Sequence, residues 1–411
     1  MNMNGFPHIS IGELVTSGEA ELKTGPFGTQ LKASEYTEHG TPVINVRNIG
    51  MGGIKPDKLE YISDTTRNRL VSHVLHQGDI VFGRKGAVER HVFIRIEQDG
   101  WFQGSDCLRL RLNSRRIEPL FASYFFLSED HQWWMMNQCS HGATMASLNQ
   151  GILERIELPV PPLPIQKRIT GILSAYDELI ENNQRRIRIL EEMARSLYRE
   201  WFVYFRYPGH EDVPLVDSSL GPIPQGWEVK KLKDVCHLTM GQSPRSEFYN
   251  DSGDGLPFHQ GVTDFGARFP SDRLYCSVEN RLAEAGDILF SVRAPVGRMN
   301  IANKRIIMGR GLSAIRHKQG HQVFLWQQLK EKFHKEDLMG NGAIFASVTK
   351  SDMEGIELIC PSHEITQLVS RHLEPMHEEI GCLSVEIDNL RSTRDLLLPK
   401  LLSGKIRMDE M

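Results

Sequence analysis

A motif recurs about 200 residues apart in this chain of 411 residues. Residues 142–147 read GATMAS and residues 342–347 read GAIFAS, while the ERIEL of residues 154–158 returns as EGIEL at 354–358. In both copies a proline follows, and then a long stretch with a helical pattern. Solenoid repeats span only about 20–50 residues, so this spacing predicts duplication of a whole domain together with a helix. Two similar but unequal halves suit a protein that binds two similar but unequal targets.

Each copy carries an apolar stripe with heptad spacing. The first stripe runs from Ile169 to Trp201, and its gaps alternate between four and three residues. A mean spacing of about 3.5 residues is typical of a helix that buries a narrow seam against another helix. We therefore predict two long helices packed as an antiparallel coiled coil. The predicted interface consists of Ile169, Leu173, Tyr176, Ile180, Asn183, Ile187, Leu190, Leu197, Val369, Leu373, Met376, Ile380, Leu383, Ile387, Leu390 and Leu397.

Two positions in these stripes depart from a simple apolar seam, and a proline lies near the end of the second stripe. Asn183 fits a polar residue that sets the register of a coiled coil, although a partly exposed asparagine is also compatible with the pattern. Arg394 is the polar position in the second stripe, and Pro399 is expected to kink or end that helix near Leu398. An alternative arrangement has each helix packing on its own globular domain instead of on the other helix.

The globular parts repeat more loosely. Residues 77–82 (QGDIVF) match residues 285–290 (AGDILF), and Gly-Asp followed by alternating apolar residues indicates a turn into a strand. The spacing from Gly28 to Tyr36 also equals that from Gly241 to Tyr249. Further strands are predicted at residues 92–94, 108–111, 306–308 and 314–316, and helices near 119–127 and 322–333.

The predicted fold class is therefore α+β: two similar globular domains joined by two long helices, with a pseudo-twofold internal repeat. The proline-rich joint before the first long helix and the Pro/Gly-rich stretch at residues 208–226 mark the boundaries. The predicted domains are residues 1–158 (first globular domain), 159–207 (first long helix), 208–358 (second globular domain) and 359–411 (second long helix and tail).

Composition limits the class of protein. The chain is 40% hydrophobic and 24% charged, as is usual for a globular protein. The first residues lack a basic start and an apolar run, and no stretch approaches the ~20 apolar residues of a membrane helix. Six scattered cysteines without a CxxC pair indicate reduced thiols. We therefore expect a cytoplasmic location.

Motifs for catalysis are not evident. The sequence has no GxxxxGK[ST] phosphate loop, no GxGxxG after a strand and no HExxH, and the Pro56-Asp57 pair lacks the following acidic-x-Lys triplet of a metal-dependent nuclease. Asp79 and Asp287 are more simply turn residues than catalytic acids. His141 and His259 have no carboxylate or cysteine partner at ligand spacing, so we predict that both are non-catalytic and that the chain binds no metal.

The positive signal is a basic strip. Residues 293–318 contain seven Lys or Arg residues and no Asp or Glu, in a chain whose net charge is −4. Such a local field suits phosphates, although a charged strip is often only a solvated face. The corresponding stretch at residues 84–111 has six basic residues and four acids. The residues predicted to contact DNA through this charge are Arg84, Lys85, Arg90, Arg109, Arg293, Arg298, Arg305 and Arg310.

Nearby loops carry side chains that are able to read base edges, because Asn and Gln pair bidentately with adenine. The residues predicted for this role are Asn45, Arg47, Asn48, His259 and Gln260.

Three segments resemble the specificity (S) subunits of type I restriction-modification systems. Residues 157–169 (ELPVPPLPIQKRI), running into 173–180 (LSAYDELI), resemble the central conserved region of that family. Residues 221–227 (GPIPQGW) resemble the entry to its second recognition domain, and residues 397–406 (LLPKLLSGKI) resemble its C-terminal tail. The joint before the second helix (PSHEITQ, residues 361–367) departs from the first copy, which has two extra prolines.

The resemblance implies two target recognition domains, each reading one half of a bipartite, asymmetric DNA sequence. The helical pair would act as a ruler for the gap and as the docking site for two methyltransferase (M) subunits. Those subunits would carry S-adenosylmethionine, and the restriction/translocase (R) subunits would carry ATP and Mg²⁺, so no cofactor is expected in this chain. Recognition domains vary within the family, and no base-contacting residue is transferred by motif.

Together these observations predict a non-catalytic, sequence-specific subunit that binds double-stranded DNA. Two alternatives from other classes remain at this point. One is a self-contained DNA nuclease or methyltransferase with an unrecognised active site, and the other is a coiled-coil adaptor whose globular halves bind protein.

Overall fold

The computed structural model describes residues 6–139, 146–333 and 347–406. His141 and most of the two GATMAS-like repeats lie outside these ranges. The chain divides into two compact units: unit 1 comprises Met1–Leu179 with Leu390–Met411, and unit 2 comprises Ile180–Asn389. Each predicted globular segment falls within one unit, whereas each long helix contributes to both units.

Unit 1 contains eleven strands within its described residues, together with five short helices and parts of the two long helices. The strands are β1 (His8–Ser10), β2 (Ala20–Thr24), β3 (Tyr36–Thr37), β4 (Thr41–Ile44), β5 (Met51–Gly52), β6 (Glu60–Ile62), β7 (Ile80–Gly83), β8 (His91–Phe93), β9 (Phe102–Gln103), β10 (Cys107–Leu112) and β11 (Glu157–Pro159). The short helices are α1 (Ile11–Thr16), α2 (Asp64–Arg69), α3 (Pro119–Phe126), α4 (Glu129–Cys139) and α5 (Gln150–Glu154), and the long helix α6 (Leu163–Phe202) begins here.

Unit 2 has the remaining elements. Its strands are β12 (Leu215–Val216), β13 (Ile223–Pro224), β14 (Glu228–Lys231), β15 (Cys236–Met240), β16 (Tyr249–Asn250), β17 (Leu256–His259), β18 (Tyr275–Cys276), β19 (Leu282–Ala283), β20 (Ile288–Ser291), β21 (Met299–Ile301), β22 (Ile306–Met308), β23 (Leu312–His317) and β24 (Glu357–Cys360). Its helices are α7 (Leu232–Val235), α8 (Gln322–Lys332), α9 (Lys350–Glu354) and the first part of α10 (His363–Leu402).

The two units share four corresponding strands in each of two sheets, to which unit 1 adds β5 and unit 2 adds β19. Unit 1 has a sheet of order β2-β10-β7-β8-β5 and a second of order β3-β6-β4-β9; unit 2 has β15-β23-β20-β21 and β16-β18-β17-β22-β19. A short antiparallel pair closes each globular part, β1 with β11 and β14 with β24. The predicted α+β fold and internal duplication are therefore confirmed, and the strands and helices predicted from the sequence are present.

The spacing match between Gly28 and Gly241 does not identify equivalent glycines. Gly241 follows β15, and its N–H donates to the Leu312 carbonyl over 2.9 Å; Gly25 follows β2 and donates to the Cys107 carbonyl over 2.9 Å. Gly25 is therefore the counterpart of Gly241. The loop from Gly25 to Tyr36 is longer than the loop from Gly241 to Tyr249. Gly28, which lies within the longer loop, therefore has the same spacing to Tyr36 as Gly241 has to Tyr249.

The Gly-Asp turns form for backbone reasons, as predicted. Gly78 and Gly286 have φ of 91° and 86°, which a residue with a side chain rarely adopts. Each following aspartate accepts a hydrogen bond from the backbone three residues earlier, at 2.8 Å for Asp79 and 2.9 Å for Asp287. These carboxylates therefore shape the entry into β7 and β20.

The long helices pack antiparallel within each unit. In unit 1, Ile169 and Leu173 near the start of α6 share a hydrophobic core with Leu398 and Leu401 near the end of α10. In unit 2, the end of α6 shares a core with Val369 and Leu373 near the start of α10. Every residue of the predicted seam is buried or half-buried.

Packing on the globular parts occurs as well. The unit 1 core that holds the helices also contains residues of α1 and α3, and the corresponding core of unit 2 contains Phe324 of α8. The alternative in which each helix packs on a globular domain therefore describes part of the arrangement rather than competing with the helix pair.

The two exceptional seam positions and the proline have distinct environments. Asn183 is buried, and no described group accepts a hydrogen bond from its Nδ2. Arg394 donates through Nη1 to Asp177 Oδ1 over 2.6 Å, and Asp177 Oδ2 accepts from the Tyr124 hydroxyl over 2.6 Å. The predicted end near Leu398 is wrong, because α10 continues past Pro399. Burial of leucines on both sides of the proline stabilises this last turn.

Candidate nucleic-acid interface

Two parallel strands of unit 2 end side by side. β17 pairs with β22 so that His259 lies opposite Met308. Directly beyond these ends, the Gly309 N–H donates to the His259 carbonyl over 2.9 Å, and the Gly311 N–H donates to the Gln260 carbonyl over 3.0 Å. Residues 309–311 therefore run along Gln260 before the chain enters β23.

A third strand end reaches the same place. β20 pairs with β23 so that Ser291 lies opposite Leu312, and the Val292 N–H donates to the Gly311 carbonyl over 2.9 Å. Arg293 follows directly. Gln260, Arg293 and Arg310 thus come from three connected strand ends, and we call them the unit 2 strand-end cluster.

All three side chains of this cluster are exposed. Within the described part of the chain, neither Arg293 nor Arg310 forms an ion pair. Among the described residues no ion pair offsets their charge, which creates a local positive field beside an exposed amide. That combination provides both phosphate attraction and base-edge hydrogen bonding.

The other two predicted arginines of unit 2 lie elsewhere. Arg305 forms ion pairs with Glu279 at 3.1 Å and Glu284 at 3.3 Å, which offset its charge. Arg298 is exposed and lines a cavity of about 570 Å³ together with Trp326 on α8 and Arg188 on α6. Neither belongs to the strand-end cluster.

The residues of unit 1 that were predicted to contact DNA have more polar partners than the unit 2 strand-end cluster has. Lys85 is exposed, with its Nζ 3.8 Å from Asp106. Asn45 Nδ2 donates to Glu60 Oε2 over 2.6 Å, and Arg47 lies 2.8 Å from the same carboxylate oxygen.

Two further basic residues of unit 1 are only half-exposed. Arg90 forms a 3.3 Å ion pair with Glu89. The buried Nε of Arg84 has no hydrogen-bond acceptor among the described residues.

Two predicted DNA-binding residues of unit 1 are buried inside the fold. Arg109 is 1% exposed; its guanidinium donates to Glu21 Oε1 over 2.7 Å and to the Ser72 carbonyl over 3.1 Å. Burial lowers the pKa of Arg109. This arginine joins β10 to β2 and to the segment before β7, so we withdraw the prediction that it contacts DNA.

Asn48 is the second correction. It is fully buried, and its Nδ2 donates to the carbonyls of Lys55 and Asp57, each over 3.0 Å. Its Oδ1 accepts from the Asn45 N–H over 3.1 Å. The amide is therefore committed to holding the loop after β4, and it is not available to read a base.

His259 is the third correction. Its side chain is fully buried, 3.3 Å from Asp272 and 3.9 Å from Asp264, and burial lowers its pKa. Sequence spacing did not reveal these carboxylate partners, because the fold brings both aspartates back to β17. A buried imidazole cannot reach a base edge, and the exposed reader at this strand end is the next residue, Gln260.

Other site classes find little support in the described residues. No group of three or more His, Cys, Asp or Glu residues there is placed to hold a metal ion. None of the helices in residues 6–139, 146–333 and 347–406 has the length and apolar content needed to cross a membrane. The six cysteines are all free.

Comparison with known proteins identifies the family. The profile described as "Type I restriction modification DNA specificity domain" matches residues 20–192 and 224–382. The MjaX specificity subunit of Methanocaldococcus jannaschii, named as a type I restriction enzyme subunit, is 30% identical over 376 residues, which cover 90% of this chain and 88% of that protein. The HindI specificity subunit of Haemophilus influenzae is 23% identical, with 81% of this chain and 87% of that protein covered.

A solved structure shares the fold. The S subunit of a type I restriction-modification system from M. genitalium is similar with a TM-score of 0.61 and 16% identity, and the match covers 98% of this chain and 97% of that one. The profile matches most of both globular parts and a portion of each long helix, in agreement with the duplicated topology. The chain therefore belongs to the family of type I restriction-modification DNA specificity subunits.

Proposed function

We propose that this chain is the sequence-specific DNA-binding subunit of a type I restriction-modification complex. Each globular part reads one half of a bipartite, asymmetric target. The subunit itself is non-catalytic. The long helices serve as the spacer between the two reading parts and as the docking site for the methyltransferase subunits.

The observation that carries this proposal is the strand-end cluster of unit 2. Three exposed side chains of the types that bind phosphate and base edges converge there from separate strands, in a chain that is acidic overall. DNA binding by a protein with net charge −4 requires such a local patch, since the global field repels the phosphate backbone. Because corresponding sheets occur in both units, each unit presents an equivalent set of strand ends.

The partners and cofactors follow from the family assignment as part of the proposal. Two M subunits would supply S-adenosylmethionine and the methyl-transfer chemistry, and R subunits would supply ATP- and Mg²⁺-dependent translocation and cleavage. The chain would act in the same compartment as the DNA, in the cytoplasm. DNA binding and partner docking together are sufficient for its role.

Methylome sequencing tests the proposal. A host that carries this chain with its methyltransferase partner is compared with the same host lacking only this chain. We expect a two-part methylated motif with a constant gap that is present only when the chain is present. Methylation that is independent of the chain contradicts the proposal, and methylation or cleavage by the purified chain alone supports an enzyme instead.

The spacer role has its own test. One helical turn is inserted into both long helices, in register. We expect the gap between the two half-sites to change while both half-site sequences stay the same. An unchanged gap with a folded, active complex contradicts the spacer role.

A further inference from the structure

The backbone contacts at the strand ends are the same in the two units. In unit 2, the Gly309 N–H donates to the His259 carbonyl over 2.9 Å; in unit 1, the Gly104 N–H donates to the Ile44 carbonyl, also over 2.9 Å. The residues that follow these four therefore occupy equivalent places. They form two matched pairs, Asn45 with Gln260 and Ser105 with Arg310.

A second contact fixes the third position. The Val292 N–H donates to the Gly311 carbonyl over 2.9 Å, and in unit 1 the Arg84 N–H donates to the Asp106 carbonyl over 2.9 Å. The residues after Arg84 and Val292 are therefore equivalent as well.

These residues are Lys85 and Arg293. Each forms an isolated antiparallel bridge with a serine that ends a GATMAS-like repeat, Ser147 for Lys85 and Ser347 for Arg293. The equivalence of the two positions thus rests on two independent backbone contacts.

Glycine is required at the two positions, Gly104 and Gly309, that pack directly against Asn45 and Gln260. A Cβ added to Gly309 would lie 2.7 Å from the Cα of Gln260, and one added to Gly104 would lie 2.6 Å from the carbonyl oxygen of Ile44. Because such distances do not occur for real side chains, both units keep a glycine here. The amide residue is consequently held against the backbone that presents Ser105 or Arg310.

The three matched positions differ in how much their chemistry changes between units. The Lys85/Arg293 position is a cation in both. The Asn45/Gln260 position is an amide in both, with different lengths. The Ser105/Arg310 position changes completely, from a small hydroxyl to a guanidinium.

This pattern separates two roles. The sugar–phosphate backbone is chemically identical in both half-sites, so a residue that contacts it is free to keep its charge in both units. Base edges differ between the halves of an asymmetric target, so the residues that read them must differ. The cation position fits the first role, and the Ser105/Arg310 position fits the second.

The surroundings of this variable position also differ. In unit 1, the Tyr36 side chain lies near the side chains of Asn45 and Ser105. In unit 2, the corresponding Tyr249 hydroxyl donates instead to the Pro244 carbonyl over 2.8 Å. The Arg310 side chain is exposed at the strand ends, whereas Ser105 is half-buried.

We propose that Ser105 and Arg310 are the residues that make the two half-sites different, and that Lys85 and Arg293 bind phosphate at equivalent places. Arg310 reads a guanine in the second half-site, since arginine contacts guanine O6 and N7 bidentately in the major groove. Asn45 and Gln260 read the neighbouring base pair, for which an amide selects adenine. This proposal rests on the proposed function, and it adds Ser105, which the sequence reasoning missed.

The test uses the full chain with its methyltransferase partner and reads the methylated motif for Arg310→Ser, Arg310→Lys and Arg293→Ala. Arg305→Ser is the matched control, because Arg305 is an exposed arginine of the same unit that lies in ion pairs outside the cluster. Thermal melting of each variant establishes that it is folded.

We expect both Arg310 variants to relax one base pair of one half-site, with the other half-site and the gap unchanged. Discrimination at that pair should fall by about 5- to 150-fold, the usual contribution of one bidentate contact. Arg293→Ala should lower methylation of all cognate sites evenly without changing the motif. Arg305→Ser should behave as the wild-type chain does.

Three results overturn the inference. In the first, both Arg310 variants retain the complete wild-type motif. In the second, Arg310→Lys retains the motif while Arg310→Ser loses all methylation, which means that the position supplies charge alone. In the third, both variants are folded but lose methylation at every site. If Arg310→Ser melts early, Arg310→Lys decides, since it keeps the charge and most of the length. A wild-type chain that yields no bipartite motif refutes the proposed function instead.

Discussion

Unit 1 and unit 2 are most alike in the contacts that aim their strand ends. Asp79 at the entry of β7 accepts two hydrogen bonds from Arg111 of β10, each of 2.7 Å. Asp287 at the entry of β20 accepts one from Arg316 of β23 over 2.6 Å. Both ion pairs tie the strand that ends at the cation position to its neighbour. The duplicated fold therefore retains the contacts that hold the candidate reading surface.

The units differ most where the globular part meets the helices. Unit 1 uses the chain of hydrogen bonds from Tyr124 through Asp177 to Arg394. In unit 2 the position that corresponds to Arg394 is the buried Ala194.

Unit 2 supplies its arginine from the globular part instead. Arg268 is buried and donates to the His377 carbonyl of α10 over 3.0 Å. The contacts between the globular part and the helices thus differ between the units, whereas the Asp–Arg contacts that position the strand ends occur in both.

Removing the aspartate at the strand entry should have the largest effect. We expect Asp79→Ala to destabilise unit 1 by about 3–5 kcal/mol, because it leaves Arg111 without its partner in a mostly buried place. Asp287→Ala should cost less, since the side chain of Arg316 is 46% exposed and that of Arg111 only 24%. Hydrogen exchange of β7 and β10 peptides, compared with β20 and β23 peptides, measures both. A loss of stability from Asp287→Ala that equals or exceeds the loss from Asp79→Ala would contradict the claim that the more buried ion pair contributes more.

Replacing the helix arginine should have an intermediate effect. We expect Arg394→Met to cost about 1–3 kcal/mol in unit 1, because Asp177 loses a charged donor in a partly buried site. The matched control is Arg186→Ala, which removes an exposed ion pair with Glu379 in unit 2 and should cost about 0–1 kcal/mol. Hydrogen exchange in α6 and α10 reports both changes. A control that costs as much as Arg394→Met would contradict the assigned role of the chain of hydrogen bonds.

The smallest expected effect is that of Arg305→Ala on DNA binding. Since Glu279 and Glu284 already offset this charge, the slope of log affinity against log salt concentration should stay unchanged. Arg293→Ala should reduce the slope by about 1, as expected for the loss of one phosphate contact. Titrations of the assembled complex at several salt concentrations distinguish the two. An equal reduction of the slope by both variants would show that Arg305 also contacts DNA and that the interface includes the whole basic strip.

The sequence predicted what depends on periodicity and turns. The heptad stripes predicted the helix pair, and the Gly-Asp turns predicted the entries into β7 and β20, because these patterns follow directly from local backbone geometry. The site was less predictable. Charge alone did not distinguish the exposed Arg310 from the buried Arg109, because burial depends on which distant segments of the chain pack against a residue.

Two further features required the fold. His259 lies against Asp264 and Asp272 only because a loop returns both carboxylates to its strand. Ser105 is an unremarkable serine in the sequence, and it became a candidate only when backbone contacts placed it opposite Arg310 of the other unit. Distant strand pairing, which single-sequence patterns do not encode, decides both cases.

The central claim is that each unit reads its own half of the target. The most direct measurement compares methylomes of hosts that carry the full complex with Ser105→Ala in unit 1 or Arg310→Ser in unit 2. The account predicts that the two substitutions relax different halves of one motif, each leaving the other half and the gap intact. Changes that fall in the same half, or in both halves for one substitution, would contradict it.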